Sequence, residues 1–289
     1  MTELIQPRNT IAVLQKYNFQ FQKKYGQNFL IDPLVLDRIL EAAGIEPEDF
    51  VLEIGPGIGT MTQALSATAR LVAAVEIDRH LIPILQDTLS DCKNVMIIQE
   101  DILKVDLHAL IAQYQEGKPI KVLANLPYYI TTPILMKLLE SDLPLSGITV
   151  MVQKEVAERI CAQPGTKDYG ALSLAVQYAA KPQIVTYVPP NCFIPRPRAH
   201  SAVVHFHVFD TPPVTVNDPK LMFQVIRASF AQRRKTLQNG ISHATEFSLT
   251  KEQASECIAA CGFSETVRGE TLSLQDFAGL SDRIQEVLR

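Results

Sequence analysis

The chain has no excess of positive charge and no long apolar run. Lysine and arginine total 27 against 31 aspartate and glutamate, for a formal net charge of −4. This balance excludes a generally basic nucleic-acid binder, so any affinity for RNA or DNA must come from a local basic surface. No apolar run approaches the roughly 20 residues that span a bilayer. Arg8, Asn9 and Gln15 interrupt the apolar N-terminal stretch, so the sequence predicts neither a signal peptide nor a membrane anchor.

Cysteine and histidine are too few and too scattered to predict a metal centre. The five cysteines are odd in number and include no Cys-x-x-Cys pair, which favours reduced thiols and a cytoplasmic location. Cys257 and Cys261 lie one helical turn apart without a nearby histidine or third cysteine, so helix packing explains them better than a metal site. His205 and His207 also lack a carboxylate or cysteine companion. We therefore predict no metal.

Short apolar segments alternate with helical patterns over residues 32–152. Asp32-Pro33 supplies an N-cap and a proline at the first helical position, and Gly44 ends the helix that follows. Apolar runs of strand length separated by such helices predict a mostly parallel sheet that is covered on both faces. The predicted strands span residues 50–54, 71–75, 94–98, 120–124 and 148–152.

The pattern changes after the fifth predicted strand. Two helical patterns and two strand patterns follow, at residues 154–162, 171–180, 184–188 and 202–209. The last two have no long crossover between them and are expected to form an antiparallel edge. Asp210-Thr211-Pro212-Pro213 marks a boundary, and a helical pattern begins at Pro219. The sequence thus predicts an α/β domain over residues 1–210, with an N-terminal extension over 1–23, and a small all-helical domain over 211–289.

A glycine-rich turn follows the first predicted strand and precedes a helix. Gly55-Pro56-Gly57-Ile58-Gly59 lets the backbone approach a ligand closely and leaves helix N–H groups free to meet a polar group. Thr60 stands where a dinucleotide fingerprint has its third glycine, so the loop alone is a weak signal. Glu76 ends the second strand, where a carboxylate can accept hydrogen bonds from both hydroxyls of a ribose. A solvated strand-end acid is the alternative.

Asn125-Leu126-Pro127-Tyr128 closes the fourth apolar run. The motif delivers an amide acceptor, a backbone acceptor and an aromatic ring to the carboxyl end of a strand, where open α/β sheets bind ligands. These groups can hold a planar exocyclic amine such as that of adenine, although a strand followed by a proline-containing turn explains the four residues equally well. Asp101, after the third strand, suits an adenine amino group. Together with the glycine loop and Glu76, these residues predict a nucleoside pocket.

Taken together, these motifs resemble the S-adenosylmethionine-dependent ribosomal RNA adenine N6-dimethyltransferases, and the small-subunit branch of that family matches further segments. The resemblance covers the whole chain. The matching elements are EIGPGIGT at 53–60, Glu76, Asp101, NLPY at 125–128, KYGQNFL at 24–30, QKEVAER at 153–159, YG at 169–170, FIPRP at 193–197 and SAVV at 201–204. The resemblance implies a Rossmann-like class I methyltransferase fold whose first domain binds S-adenosylmethionine and whose C-terminal helical domain contacts RNA.

The resemblance also implies a reaction and roles for individual residues. Methyl groups would pass from S-adenosylmethionine to N6 of two adjacent adenosines near the 3′ end of 16S rRNA in the small ribosomal subunit. The enzyme would be monomeric and cytoplasmic, with no metal. The implied cofactor contacts are Asn28, Leu30, Gly55, Gly57, Glu76, Asp101 and Asn125. The implied catalytic residues are Asn125, Leu126, Pro127, Tyr128 and Phe193, of which the two aromatic rings would hold the target base between them.

Local basic groups supply candidate phosphate contacts in this acidic chain. Any one charge run is more typical of a solvated face, but the overall acidity gives such runs weight as an RNA surface. Arg196 and Arg198 make the Pro-x-Pro segment more positive than the resemblance would imply. The candidates are Lys23, Lys24, Arg196, Arg198, Arg227, Arg233, Arg234 and Lys235.

Two other functions compete with this interpretation. An NAD-dependent oxidoreductase would require G-x-G-x-x-G and a histidine or a Tyr-Lys pair to handle hydride, and the sequence shows neither pattern. A non-catalytic RNA-binding or ribosome-assembly factor on the same fold would be expected to have an eroded cofactor site. Glu76, Asp101 and Asn125 are all present, which favours an enzyme.

Overall fold

A computed structural model describes residues 3–232 and 235–289, and the chain divides into two compact units. Unit 1 comprises residues 1–157 and 182–208, and unit 2 comprises residues 158–181 and 209–289. Residues 158–181 lie before the predicted boundary at residue 210 but belong to unit 2. The reason is packing, because Ala162, Tyr169 and Leu174 are buried in the apolar core that the C-terminal helices form.

The regular elements follow the predicted alternation. The strands are β1 Phe29–Leu30, β2 Phe50–Ile54, β3 Leu71–Glu76, β4 Val95–Gln99, β5 Ile120–Asn125, β6 Leu145–Gln153, β7 Ala180–Val188, β8 Phe193–Ile194 and β9 Ser201–Val208. The helices are α1 Pro7–Lys16, α2 Pro33–Ala43, α3 Thr60–Ser66, α4 Ile82–Thr88, α5 Leu107–Tyr114, α6 Thr131–Glu140, α7 Lys154–Cys161, α8 Ala171–Ala179, α9 Pro219–Ala231, α10 Leu237–Ser242, α11 Lys251–Ala260 and α12 Leu274–Leu288.

Seven strands in the described part of the chain form one sheet, in the order β4-β3-β2-β5-β6-β9-β7. The pairs from β4 through β6 are parallel, and β9 runs antiparallel to β6. The predicted parallel sheet with an antiparallel edge is confirmed. Because β2 lies between β3 and β5, all of its side chains are buried, as its continuous apolar sequence requires. The short strands β1 and β8 form a separate antiparallel pair.

Local sequence signals account for where most elements begin and end. The Asp32 side chain accepts hydrogen bonds from the N–H groups of Leu34 and Val35, and Gly44 ends α2 in the left-handed conformation, both as predicted. After β3, the next helix, α4, begins only at Ile82. The chain first makes a tight turn in which the Asp78 side chain accepts from the N–H of His80.

The strand predicted at residues 184–188 is longer than expected, since β7 begins at Ala180. Its additional residues include Lys181, Pro182 and Gln183, which break the apolar pattern from which the strand was predicted. A strand at the edge of a sheet tolerates charged residues and proline, because one side of it pairs with no neighbour. β7 occupies such an edge position beside β9.

Unit 2 is helical and has its own apolar core. Side chains at the N-caps of its helices accept hydrogen bonds from the first turn, as Asp218, Thr236, Thr250 and Ser273 do. Within the described residues, no helix has the length and apolar content needed to cross a membrane.

Candidate active site

A cavity in unit 1 opens at the carboxyl ends of the parallel strands and encloses about 1220 Å³ of empty space, including its open mouth. Its walls come from the segment leading into β1, the glycine loop after β2, the ends of β3 and β5, the segment after β4 and the start of β8. All the predicted cofactor-contact and catalytic residues line it: Asn28, Leu30, Gly55, Gly57, Glu76, Asp101, Asn125, Leu126, Pro127, Tyr128 and Phe193. The fold thus brings together residues that lie up to 165 positions apart (193 − 28).

The glycine loop packs closely against the segment around β1. Gly57 has φ +62°, in the left-handed region, and a Cβ atom built there would lie 2.9 Å from Cε1 of Phe29. Both backbone conformation and space therefore require glycine at this position. The Gly57 N–H donates to Oε2 of Glu76 over 3.3 Å, which links the loop to the end of β3.

Glu76 lies at the cavity wall with only 5% of its surface exposed. Its Oε1 accepts a hydrogen bond from the Asp78 N–H over 2.8 Å. Burial raises the pKa of Glu76 to about 7, against the opposing effect of the backbone N–H donors of Asp78 and Gly57. The carboxyl group therefore changes charge near neutral pH, at the position where the sequence predicts a contact to ribose.

Glu53 is completely buried in the middle of β2 and also borders the cavity. Neither of its carboxyl oxygens has a hydrogen-bond partner in the described part of the chain. Burial raises its pKa to about 8, the nearby Thr62 hydroxyl opposes that rise although it does not meet hydrogen-bond geometry, and the carboxyl of Glu76 adds to the rise. An unpartnered buried carboxyl is costly, so it is neutral over much of the physiological range or is satisfied by a ligand. The sequence did not predict this isolation.

Asn125 is fixed by a long-range hydrogen bond. Its Nδ2 donates to the backbone carbonyl of Asn28 over 2.9 Å, while the Asn28 side chain donates to the carbonyl of Gly26 over 2.8 Å. The donor end of the Asn125 amide is thus used within the protein. Among the described residues Oδ1 accepts no hydrogen bond, so the acceptor end is the one available to a ligand.

The two carbonyl groups that follow Asn125 differ in availability. The Pro127 carbonyl already accepts from the Ile130 N–H over 3.1 Å and from the Thr131 hydroxyl over 3.2 Å. The Leu126 carbonyl accepts no hydrogen bond from the residues that the structure describes. The sequence could name only a carbonyl near Leu126-Pro127, whereas the geometry favours that of Leu126.

The aromatic residues of the site differ in exposure. Phe193 is only 2% exposed and pairs through its backbone with Leu30. Tyr128 is partly buried, and its hydroxyl lies 2.7 Å from Oγ of Ser201. The next residue, Tyr129, is 60% exposed. The sequence assigns no site role to Tyr129, and it includes Ser201 only as part of the matching SAVV segment.

A hydrogen bond that the sequence did not predict connects two segments beside the cavity. Nε2 of Gln27 donates to Oδ2 of the buried Asp78 over 2.7 Å, which ties the segment before β1 to the turn after β3. Gln27 lies inside the KYGQNFL segment and Asp78 lies two positions after Glu76. Proximity to predicted site residues was the only available signal for either one.

The predicted RNA contacts are distributed over both units. Lys24, Arg196 and Arg198 of unit 1 are exposed, as are Arg227 and Lys235 of unit 2. Arg233 and Arg234 lie outside the described residues, and so does the side chain of Lys23. The described part of the chain contains no group of three or more histidine, cysteine, aspartate or glutamate side chains placed to hold a metal ion.

Together, the parallel sheet, its antiparallel edge and the cavity beyond its carboxyl ends define a Rossmann-like class I methyltransferase. The sequence matches the profile of a family described as "Ribosomal RNA adenine dimethylase" over residues 18–278. The chain therefore belongs to the ribosomal RNA adenine dimethylase family and is a methyltransferase. The predicted fold and family are confirmed, and the oxidoreductase alternative is set aside.

Similar proteins support this assignment over the full length of the chain. A protein of Lachnoclostridium phytofermentans named "Ribosomal RNA small subunit methyltransferase A" is 59% identical over 290 residues, which cover 100% of both chains. A protein of the same name from Clostridioides difficile is 50% identical and covers 98% of both chains. The solved structure of a dimethyladenosine transferase from Plasmodium falciparum is 25% identical, with a TM-score of 0.74, over 87% of this chain and 95% of that one.

Proposed function

We propose that the protein transfers methyl groups from S-adenosylmethionine to N6 of two adjacent adenosines near the 3′ end of 16S rRNA, within the small ribosomal subunit. The observation that carries this proposal is the pair of unused acceptors, Asn125 Oδ1 and the Leu126 carbonyl, at the wall of one cavity with the glycine loop and Glu76. A primary aromatic amine presents two N–H donors, which this pair of acceptors can match.

The donor set of the cavity fits S-adenosylmethionine. Glu76 would accept hydrogen bonds from the ribose hydroxyls, and Asp101 from the adenine amine. Asn28, Leu30 and the glycine loop at Gly55 and Gly57 would hold the methionine end. The unpartnered carboxyl of Glu53 adds a buried acid to the wall of a cavity that would receive a cationic molecule. When bound, S-adenosylmethionine supplies an electrophilic methyl group, so the protein needs no side-chain nucleophile.

The chain's own residues address the weak nucleophilicity of the target amine. The lone pair of adenine N6 is delocalised into the ring, which makes the nitrogen planar and a poor nucleophile. Asn125 Oδ1 and the Leu126 carbonyl oxygen would accept hydrogen bonds from the two N–H groups and stabilise the positive charge that develops on the nitrogen. Tyr128 and Phe193 would hold the flipped base, which fixes the direction of the lone pair.

Each transfer would form one N–C bond at the amine, break the S–CH3 bond of the sulfonium with S-adenosylhomocysteine as the leaving group, and release one proton from the amine. After the first transfer a single N–H remains, so only one of the two acceptors is then used. The second transfer therefore requires the methylated nitrogen to turn within the cavity. The proton leaves to solvent through the open mouth, and no charged side chain is needed to receive it.

The candidate basic residues would bind RNA phosphates outside the cavity. Exposed Arg196 and Arg198 belong to the loop between β8 and β9, whereas Arg227 and Lys235 belong to unit 2. This distribution supports unit 2 as an RNA or ribosome contact. Because the cavity is built from one chain, we propose a monomeric enzyme, and its substrate places it in the cytoplasm.

The direct test supplies tritiated S-adenosylmethionine and unmethylated small ribosomal subunits to the purified protein. Digestion of the RNA and mass spectrometry of its nucleosides should show N6,N6-dimethyladenosine at two adjacent positions. Label in a different nucleoside would contradict the proposed function. So would the absence of label in RNA from subunits that were incubated with the wild-type protein. Already methylated subunits are the matched negative substrate.

A further inference from the structure

The outer edge of the cavity carries aromatic rings that the proposed reaction does not use. Tyr25 and Tyr129 line the cavity alongside Tyr128 and Phe193. Tyr129 is 60% exposed, whereas Tyr128 is partly buried and hydrogen-bonded to Ser201. Both consecutive tyrosines thus line the cavity, but Tyr129 is the more exposed to solvent. An exposed aromatic ring beside a binding cavity offers a face on which a nucleobase can stack.

The Tyr129 ring lies near the backbone of Gly26. A Cβ atom built on Gly26 would lie 3.7 Å from Cβ of Pro127 and 3.8 Å from Cδ1 of Tyr129. The ring therefore packs in van der Waals contact range of the Gly26 position, with more than half of its surface still accessible. The accessible surface of the ring is available to a second planar group.

A positive charge accompanies these rings. Nζ of Lys24 lies 4.5 Å from the centre of the Tyr25 ring, within the range of a cation–π interaction. Partial burial raises the pKa of Tyr129, the nearby Tyr25 and Asp101 add to the rise and the Lys24 ammonium opposes it, so these groups lie close to the Tyr129 hydroxyl. Lys24 is exposed, so its ammonium group retains donors for an anion. A planar ring beside a cation matches the chemistry of a nucleotide, which presents a flat base and a phosphate.

We propose that Tyr129, with Tyr25 and Lys24, forms a stacking platform for the nucleobase adjacent to the adenosine in the cavity. This proposal rests on the proposed function. Lys24 would bind the phosphate of that neighbouring nucleotide. Moving one base out of an RNA stack uncovers one face of its neighbour. The exposed ring of Tyr129 replaces the lost stacking, lowers the cost of base extrusion and holds the strand in register with the cavity.

The test compares Tyr129→Leu, Tyr129→Phe and Tyr187→Leu with the wild-type protein. Leucine keeps apolar bulk at position 129 but removes the planar ring, whereas phenylalanine retains it. Tyr187 is a matched control, because it is 50% exposed and has Nζ of Lys154 5.3 Å from its ring centre, but it does not line the cavity. The measurements are the Kd for unmethylated small subunits with S-adenosylhomocysteine present, and kcat and KM for methyl transfer.

Tyr129→Leu should weaken subunit binding and raise KM on the order of tenfold, with a smaller change in kcat. Tyr129→Phe should restore both values, and Tyr187→Leu should match wild type. An unchanged Kd and KM in Tyr129→Leu, or an equal loss in Tyr187→Leu, would overturn the platform. The platform would also be overturned if Tyr129→Leu lost as much affinity for S-adenosylhomocysteine as for the small subunit. If wild-type protein binds subunits but methylates no adenosine, the proposed function fails, and the comparison of Kd values still decides the platform.

Discussion

Asn125 shows how one side chain can be both fixed and available for chemistry. The hydrogen bond from its Nδ2 to the Asn28 carbonyl orients the amide, and the Oδ1 end is then free to meet a substrate amine. Such preorganised dipoles act most strongly on charge that appears only in the transition state. The same residue should therefore matter much more for turnover than for binding of the cofactor.

Replacing Asn125 with alanine should lower kcat on the order of 100-fold, because one acceptor for the developing positive charge is lost. The Kd for S-adenosylhomocysteine, measured by calorimetry, should change by much less. Asn94→Ala is the matched control, since that amide also donates to backbone carbonyls, those of Ser66 and Ala69, but does not line the cavity. It should lower the melting temperature and leave kcat unchanged. Equal losses of turnover and cofactor binding in Asn125→Ala would refute this division of roles.

Glu53 and Glu76 should make the stability of the ligand-free protein depend on pH. Each pKa is raised above the ordinary value of 4.5, to about 8 and about 7. The folded state then binds more protons than the unfolded state. The resulting stabilisation is complete below pH 4.5 and is lost as pH rises through the folded-state pKa, with a slope of up to about 1.4 kcal/mol per pH unit for each group.

The glutamine variant of Glu53 cannot ionise and should remove its share of this slope. Urea unfolding of Glu53→Gln between pH 5 and pH 9 should give a flatter curve than wild type, with the gain in relative stability greatest above pH 8. Glu48→Gln is the control, because Glu48 is an exposed carboxylate paired with Lys118. If Glu53→Gln and wild type showed parallel pH dependence, Glu53 would not be a neutral buried acid.

At the scale of single elements, the strand ends and helix caps could be predicted from local sequence. Asp32-Pro33 and Gly44 mark α2 because their chemistry is local, and the apolar runs mark strands that are buried on both faces. The isolation of Glu53 and the exposure of Tyr129 could not be predicted, because both depend on neighbours distant in sequence. The edge strand β7 was underestimated for the same reason, since its tolerance of Lys181 and Pro182 depends on its place in the sheet.

The glycine loop offers an element-level test. Gly57→Ala should place its Cβ 2.9 Å from the Phe29 ring and force the left-handed conformation on alanine, so both stability and cofactor affinity should fall. Gly44→Ala separates these effects, because Gly44 also has positive φ but nothing lies within 4 Å of its Cβ position. Gly44→Ala should cost about 1 kcal/mol of unfolding free energy and leave the Kd for S-adenosylhomocysteine unchanged. If both variants had the same Kd for S-adenosylhomocysteine, cofactor binding would not depend on the shape of the glycine loop at Gly57.

At the scale of the whole molecule, the chain is acidic overall but carries local groups of exposed basic residues. The chain has a net charge of −4, yet exposed basic residues occur in the loop after β8 and in unit 2. The composition predicted that RNA affinity would be local. It could not identify the residues that touch RNA, because a solvated charge and a phosphate contact have the same local sequence.

Charge reversal tests the surface near the cavity. The double variant Arg196→Glu with Arg198→Glu should weaken binding to small subunits. It should also lose one to two phosphate contacts, and each lost contact should reduce the slope of log K against log salt concentration by about 0.7 to 0.9. Lys93→Glu is the control, because Lys93 is exposed and precedes β4, at the opposite end of the sheet from the cavity. An unchanged salt slope in the double variant would mean that these arginines do not bind phosphate.

The most direct test of the proposed mechanism is a crystal structure of the protein with S-adenosylhomocysteine and a substrate adenosine. The adenosine N6 should lie about 3 Å from both Asn125 Oδ1 and the Leu126 carbonyl oxygen, with the cofactor ribose at Glu76. An N6 atom bound elsewhere, or a cofactor outside the carboxyl ends of β2, β3 and β5, would contradict the mechanism.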